Sequence, residues 1–311
     1  MRALTVTLNP AVDVTYFLDG FRPGAIHTAR EVLRVAGGKG NNVARVLRSL
    51  GVEVAATGFA GGAAGAFLAE GLRQAGVEPA FHPIPGESRT CLALVDRETG
   101  TCTEVREPGP RISPEAADAF VERFTRLVAG CQAVVFSGSL PPGLPPDYYR
   151  RLVALARQAG AYVVLDTSGE PLARGLAAGP DLVKPNRDEL AAWAGREPGD
   201  LQEVLAAAAR MRAAGARAVA VSLGAEGLVY LGPEGAWRLR PPAISAVNPV
   251  GSGDSLVAGV VAGLLQGRPV AEALRLGVAC GAANATTPAV ATFPPELAAR
   301  LEPEVQVEPL G

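Results

Sequence analysis

Lysine is nearly absent from this 311-residue chain: Lys39 and Lys184 are the only two, and every other strong base is arginine. Histidine also occurs twice, as His27 and His82, and the four cysteines (Cys91, Cys102, Cys131, Cys280) are scattered with no Cys-x-x-Cys pair. That poverty excludes a zinc site built from Cys and His and excludes a disulfide framework; reduced thiols of a cytosolic protein are expected. Aromatic residues make up 5% of the chain, and the longest purely small-and-apolar run, Leu256 to Leu265, is too short to span a bilayer. The N-terminus MRALTVTLNP lacks the charged-then-apolar pattern of a signal peptide. Neither charge sign dominates, since 29 basic and 31 acidic residues leave a formal net charge of −2. No nucleic-acid or membrane partner is expected from that balance.

Apolar residues are plentiful, at 48%, which is enough for a sizeable core. Their spacing predicts two regimes. Early on, strand-like alternation surrounds Asn9-Pro10, and a hairpin is expected over Thr90–Asp96 and Cys102–Arg106 about a Glu-Thr-Gly turn. Helices are expected over Asn41–Leu50 and Ala66–Ala75. After Pro114 the rhythm becomes regular: helices at Ala117–Val128, Asp147–Ala159 and Leu201–Ala214 alternate with short strands at Ala133–Ser137, Tyr162–Asp166, Leu182–Lys184 and Ala218–Ser222. Such alternation specifies an α/β fold with a mainly parallel central sheet between helical layers. The early strands, about 10–35 and 88–107, are expected to form a small β lid on one domain spanning 1–311. No linker separates a second domain.

In a sheet of this kind ligands gather at the carboxyl ends of the strands. Polar and glycine motifs fall there repeatedly: Ser137-Gly138-Ser139, Asp166-Thr167-Ser168-Gly169, Lys184-Pro185-Asn186 and Ser222-Leu223-Gly224. The strongest motif is Asn248-Pro249-Val250-Gly251-Ser252-Gly253-Asp254-Ser255, running straight into the apolar helix expected over Leu256–Leu265. Glycines at a helix start let backbone N–H groups approach an anion, and an aspartate beside them is a proton acceptor. The plain alternative is an aspartate capping a helix after a glycine turn. The other phosphate loops fail: Leu256 stands where Gly-x-Gly-x-x-Gly needs its third glycine, and Gly40 follows Lys39 where a Walker A loop needs Ser or Thr.

The whole segment NPVGSGDSLVAG resembles the C-terminal signature of the PfkB (ribokinase-like) sugar kinases. The N-terminal signature is matched by Ala36-Gly37-Gly38-Lys39-Gly40-Asn41-Asn42-Val43-Ala44. Further matches are Asn9-Pro10-Ala11-Val12-Asp13, Ser88-Arg89-Thr90, Ser137-Gly138-Ser139-Leu140-Pro141-Pro142-Gly143 and Lys184-Pro185-Asn186-Arg187-Asp188-Glu189, so the resemblance covers essentially the whole chain. The Gly-Gly-Lys-Gly variant and Ser-Leu-Pro-Pro-Gly are similar to the branch acting on phosphofructose and phosphotagatose. Ser252 departs from the alanine of many members, and a small residue suffices there.

The resemblance implies a ribokinase-like fold and an ATP- and Mg²⁺-dependent kinase of a ketohexose phosphate. Fructose 1-phosphate is favoured, with fructose 6-phosphate or tagatose 6-phosphate as alternatives; a non-catalytic sugar-phosphate or nucleotide-binding protein is the competing class. It implies Asp254 as general base, with Gly251, Ser252 and Gly253 forming the anion hole. Asn186 and Glu189 would order Mg²⁺ through water, although Glu189 also reads as a first-turn helix acid. Lys184, Ser222, Gly224 and Gly227 would contact the nucleotide. On the sugar side it implies Asp13 on the hydroxyls, with Gly37 and Gly38 letting the ring approach. Lys39, Asn42, Arg89 and Ser139 would hold the substrate's phosphate, though Arg89 also reads as a surface arginine of the lid. Exposed lid edges suggest a homodimer through the lid.

Overall fold

The computed structural model describes residues 1–310. The chain opens with β1 (Arg2–Val6), β2 (Ala11–Leu18) and β3 (Glu31–Gly37), and then α1 (Lys39–Ser49). Strands β4 (Glu53–Thr57) and β5 (Phe59–Ala60), α2 (Gly62–Gln74), β6 (Glu78–Pro79) and β7 (His82–Pro83) follow. Next come the hairpin β8 (Arg89–Asp96) and β9 (Cys102–Arg106), α3 (Pro114–Val128), β10 (Ala133–Ser137) and α4 (Tyr148–Gln158). Strand β11 (Tyr162–Asp166), α5 (Gly169–Leu176), β12 (Leu182–Val183), α6 (Arg187–Ala194), α7 (Leu201–Ala213) and β13 (Ala218–Ser222) continue the alternation. The chain closes with β14 (Leu228–Gly232), β15 (Gly235–Arg240), α8 (Ser252–Leu265), α9 (Val270–Ala285), α10 (Pro295–Leu301) and β16 (Gln306–Pro309).

Ten strands form one sheet in the order β16-β15-β14-β13-β12-β11-β10-β1-β4-β6. It is parallel from β6 to β13, and antiparallel from there to β16. The antiparallel edge was not legible in full, because β15 is only partly buried and β16 is largely exposed, and neither carries an apolar run. Helices cover both faces over two buried apolar clusters. One collects Val43, Val46 and Leu47 of α1 with Val257, Val260 and Val261 of α8; the other collects Phe120, Phe124 and Phe136 with Tyr149 and Leu152. Burying each such side chain contributes ~1.5–3 kcal/mol.

The second sheet has four strands in the order β3-β2-β8-β9, with β2 and β8 parallel and the outer pairs antiparallel. One of its faces packs Val12, Val14 and Ala36 onto Leu68 of α2. Strand β3 continues to Gly37, past the expected end of the lid, and so runs directly into α1.

Two glycines set the packing of α8 on α9. A side chain at Gly259 would meet the Cα of Gly277 at 2.7 Å, and one at Gly263 would meet the Cα of Ala273 at 2.8 Å. Close approach of the two helices brings the C-terminal end of α9 against the N-terminus of α8, where the site lies. The helix itself starts at Ser252, four residues before the start expected from its apolar run, because Ser252, Gly253 and Asp254 join its first turn. Among the described residues, no helix is long and apolar enough to cross a membrane.

Candidate active site

The turn before α8 is made by Gly251, whose φ of 83° lies in the left-handed region. A side chain there would also come within 2.6 Å of Val290 Cγ1, so glycine is needed twice over. Asn284 of α9 buttresses the turn: its Nδ2 donates to the Val250 carbonyl at 2.8 Å and to Ser252 Oγ at 3.0 Å, and its Oδ1 accepts from Ala291 N–H. No side chain caps α8; the Ser252 N–H donates to the Pro249 carbonyl at 3.1 Å, while those of Gly253 and Asp254 stay free for an anion.

Asp254 sits in that first turn, buried. Its Oδ2 accepts a 2.7 Å hydrogen bond from Asn42 Nδ2 of α1, a contact spanning 212 residues of sequence. Burial, together with the charge of nearby Asp166, pushes the Asp254 carboxyl up to about 6, against the pull of Lys39, the Asn42 bond and Lys184. A buried carboxylate poised near neutrality at a helix N-terminus has the chemistry to accept a proton beside a bound anion.

Two ammonium groups converge on the fully buried Asp166 at the end of β11. Lys184 Nζ and Lys39 Nζ each lie 3.5 Å from Asp166 Oδ1, while Ser137 Oγ donates to Oδ2 at 3.2 Å. Burial opposes the charge on Asp166, but Lys184 and Lys39 outweigh it and hold the carboxyl below its ordinary range. Asp166 in turn raises the Lys39 ammonium above its usual value. The two lysines of the chain thus meet on one carboxylate. Lys184 Nζ also lies 3.4 Å from where a side chain on Gly253 would begin, so it faces the same helix turn.

Asn186 and Glu189 form a capping box on α6: Asn186 Oδ1 accepts from Glu189 N–H at 2.7 Å and Glu189 Oε2 accepts from Asn186 N–H at 2.9 Å. Glu189 Oε1 takes a 3.3 Å bond from Lys39 Nζ. The loop after β13 joins this corner, since Ser222 bridges to Asn186 and donates its N–H to the Pro185 carbonyl at 3.0 Å. Gly224 and Gly227 turn the loop with φ of 60° and 97°.

In the four-stranded sheet Asp13 of β2 lies under Gly37, where any side chain would come within 2.0 Å of its Oδ2. Burial pushes the Asp13 carboxyl up to about 6, opposed by Arg45, a hydrogen bond from the Gly38 backbone and Arg89. Arg89 pairs with Ala11 across β8 and β2 and donates to the carbonyls of Asn9 and Glu107, both at 3.1 Å. The expected phosphate cluster is therefore divided. Arg89 and Asp13 lie together in the lid, whereas the Lys39 amine faces Asp166 and Glu189, and the Asn42 amide is spent on Asp254 and Arg45. Ser139 is exposed, two residues beyond Ser137.

Sequence reasoning placed Asp166 in a strand-end motif without giving it a role, and did not single out Arg45 or Asn284. Asp166 closes an apolar strand and Asn284 interrupts an almost wholly apolar helix, and both are usable signals. Arg45 gave none, because it alternates with the apolar face of α1.

A doubly covered, largely parallel sheet with a small second sheet, an uncapped helix N-terminus and a buried carboxylate beside it suits phosphoryl transfer to a small hydroxyl-bearing substrate. The pfkB family carbohydrate kinase description matches residues 6–297. A 1-phosphofructokinase of Xanthomonas campestris pv. campestris is 43% identical over 270 residues, covering 85% of each chain. Among solved structures, Escherichia coli phosphofructokinase-2 in complex with fructose-6-phosphate superposes with a TM-score of 0.90 at 29% identity, over 97% of this chain and 98% of that one. A Thermotoga maritima protein named "Possible 1-phosphofructokinase" superposes with a TM-score of 0.91 at 28% identity over the full length of both. The chain belongs to the pfkB family of carbohydrate kinases, enzymes that use ATP to phosphorylate an alcohol group.

Proposed function

We propose that this kinase transfers the terminal phosphoryl group of ATP to the free hydroxymethyl group of fructose 1-phosphate, giving fructose 1,6-bisphosphate. The observation that carries this is Asp254: a buried carboxylate, poised near 6, in the uncapped first turn of α8. It takes the proton of the attacking hydroxyl, while the N–H groups of Gly251 and Gly253, in the turn that Ser252 pins to the Pro249 carbonyl, and the Lys184 ammonium meet the charge developing on the phosphoryl oxygens. Asp13 orients the sugar hydroxyls, and Gly37 and Gly38 let the ring reach the backbone. Arg89 takes the phosphate already on the sugar, with Asn42 and Ser139 at the border of that pocket, and Lys39 stands between the two ends of the substrate. Ser222, Gly224 and Gly227 line the nucleotide beside Asn186. The choice of fructose 1-phosphate is supported by the 43% identity to a 1-phosphofructokinase. The structural likeness to an enzyme crystallised with fructose-6-phosphate keeps that sugar as the second reading, since one cationic pocket accepts either end of a furanose phosphate.

Mg²⁺ would accompany the nucleotide and neutralise its phosphate oxygens. Asn186 and Glu189 fit a hydrated ion and not a bare one. Asn186 Oδ1 and each Glu189 oxygen already accept one hydrogen bond, which leaves second lone pairs for metal-bound water. The free thiols of Cys91, Cys102, Cys131 and Cys280 suit a reducing cytosol. We treat the chain as one domain with its lid, paired through that lid with a second copy. Asp254→Asn tests the assignment: kcat is expected to fall ~10²–10⁴-fold while nucleotide affinity holds, because the base acts in the transition state. Wild-type turnover in that variant would overturn it.

A further inference from the structure

We propose that Arg45 is a positioning residue for the transfer: it fixes which end of the Asn42 amide meets Asp254, and so holds the base in its charged form. This rests on the reading of Asp254 as the base. Arg45 lies on α1 one turn beyond Asn42, and its Nη2 donates to Asn42 Oδ1 at 2.7 Å. A guanidinium can only donate, so the amide oxygen must turn towards Arg45 and the amide nitrogen towards Asp254. Nδ2 then donates to Asp254 Oδ2 at 2.7 Å, a bond that favours the carboxylate. Turned over, the amide would offer its oxygen, which accepts from a protonated acid and favours the neutral form that burial already promotes.

The rest of the guanidinium ties this choice to both substrates' sides of the site. Nη1 donates to the Ala36 carbonyl, next to the Gly37 turn over Asp13, and Nη2 reaches the Val290 carbonyl at 3.3 Å. Val290 is the wall against which Gly251 turns. Arg45 lies close enough in charge to feel both Asp13 from β2 and Asp254 from α8. Asp254 is faced by Asp166 at the end of β11, Lys39 of α1 and Lys184 after β12. Burial disfavours the Arg45 cation, and its Nε has no partner, so the side chain is costly to keep where it is.

The test is the pH profile of kcat in Arg45→Gln and Arg45→Lys, with folding checked by circular dichroism. Lysine keeps the charge, but its one ammonium cannot bridge the Asn42 oxygen and the Ala36 and Val290 carbonyls as the guanidinium fork does, so it holds the amide less firmly. The acid limb is expected to move up by about one pH unit in Arg45→Gln and by less in Arg45→Lys, with turnover recovering at alkaline pH. If Arg45 only braced α1, activity would drop by one factor at every pH, and an unmoved limb in either folded variant overturns the proposal. Asp254→Asn separates the two claims. If it turns over normally, the base assignment fails; if it is inactive while the Arg45 limbs stay put, only the positioning role fails.

Discussion

Asp254 is buried with its charge opposed by its surroundings, and that has consequences for both activity and stability. Its carboxyl is raised from the ordinary 3.8 to about 6. Transfer needs the charged form, so kcat/KM is expected to rise through about pH 6 and level off above it. For stability the sign is the reverse. A carboxyl whose folded value is raised binds its proton more tightly in the folded state, so this contribution is present below about 3.8 and lost as pH rises through about 6. Removing the charge should therefore stabilise: Asp254→Asn is expected to melt a few degrees higher than wild type at pH 8, the gain shrinking towards pH 5, as scanning fluorimetry can follow. A lower melting temperature at pH 8 would show that the charge is stabilised where it sits. At this scale Asp254, its glycines and the Asn-x-x-Glu pair were legible as motifs in the sequence, because each is a local pattern. It gave no role to Arg45 or Asp166, because what each does depends on partners that the fold supplies: Arg45 reaches the Val290 carbonyl 245 residues away, and Asp166 meets Lys39 and Lys184 from other elements.

Among the elements, the regular βα alternation after Pro114 was readable because each strand there is short, apolar and bounded by turns. Strands β10, β11 and β13 fall where the spacing put them. The start of α8 was misplaced because its first turn is built of Ser, Gly and Asp, residues of poor helix propensity held in place by the Asn284 buttress. The lid is the element with unfinished business. Strand β9 is exposed along its whole length at one edge of the four-stranded sheet, and Ile26 and Val105 project into solvent from the lid. Pairing with a second lid would cover that surface. Multi-angle light scattering at micromolar concentration is expected to report a dimer, and charged substitutions at Ile26 and Val105 to shift it towards monomer. A wild-type monomer would contradict the pairing.

Across the whole molecule, groups that the chain spreads from Lys39 to Asn284 gather where the carboxyl ends of β11 and β12 meet α1 and the N-terminus of α8. The long contact between Asn42 and Asp254 links the first helix to the eighth, and the 3.5 Å approach of both lysines to Asp166 links the first helix to the two central strands. On the proposed reading the nucleotide lies at Lys184, Asn186 and Ser222, the sugar at Asp13 and Arg89, and Asp254 serves both. The most direct measurement is ADP release with Mg-ATP, run in parallel on fructose 1-phosphate, fructose 6-phosphate, tagatose 6-phosphate, free fructose and ribose. The account predicts the highest kcat/KM on fructose 1-phosphate and little turnover of either free sugar. Efficient turnover of a free sugar, with none on the phosphorylated ones, would contradict it.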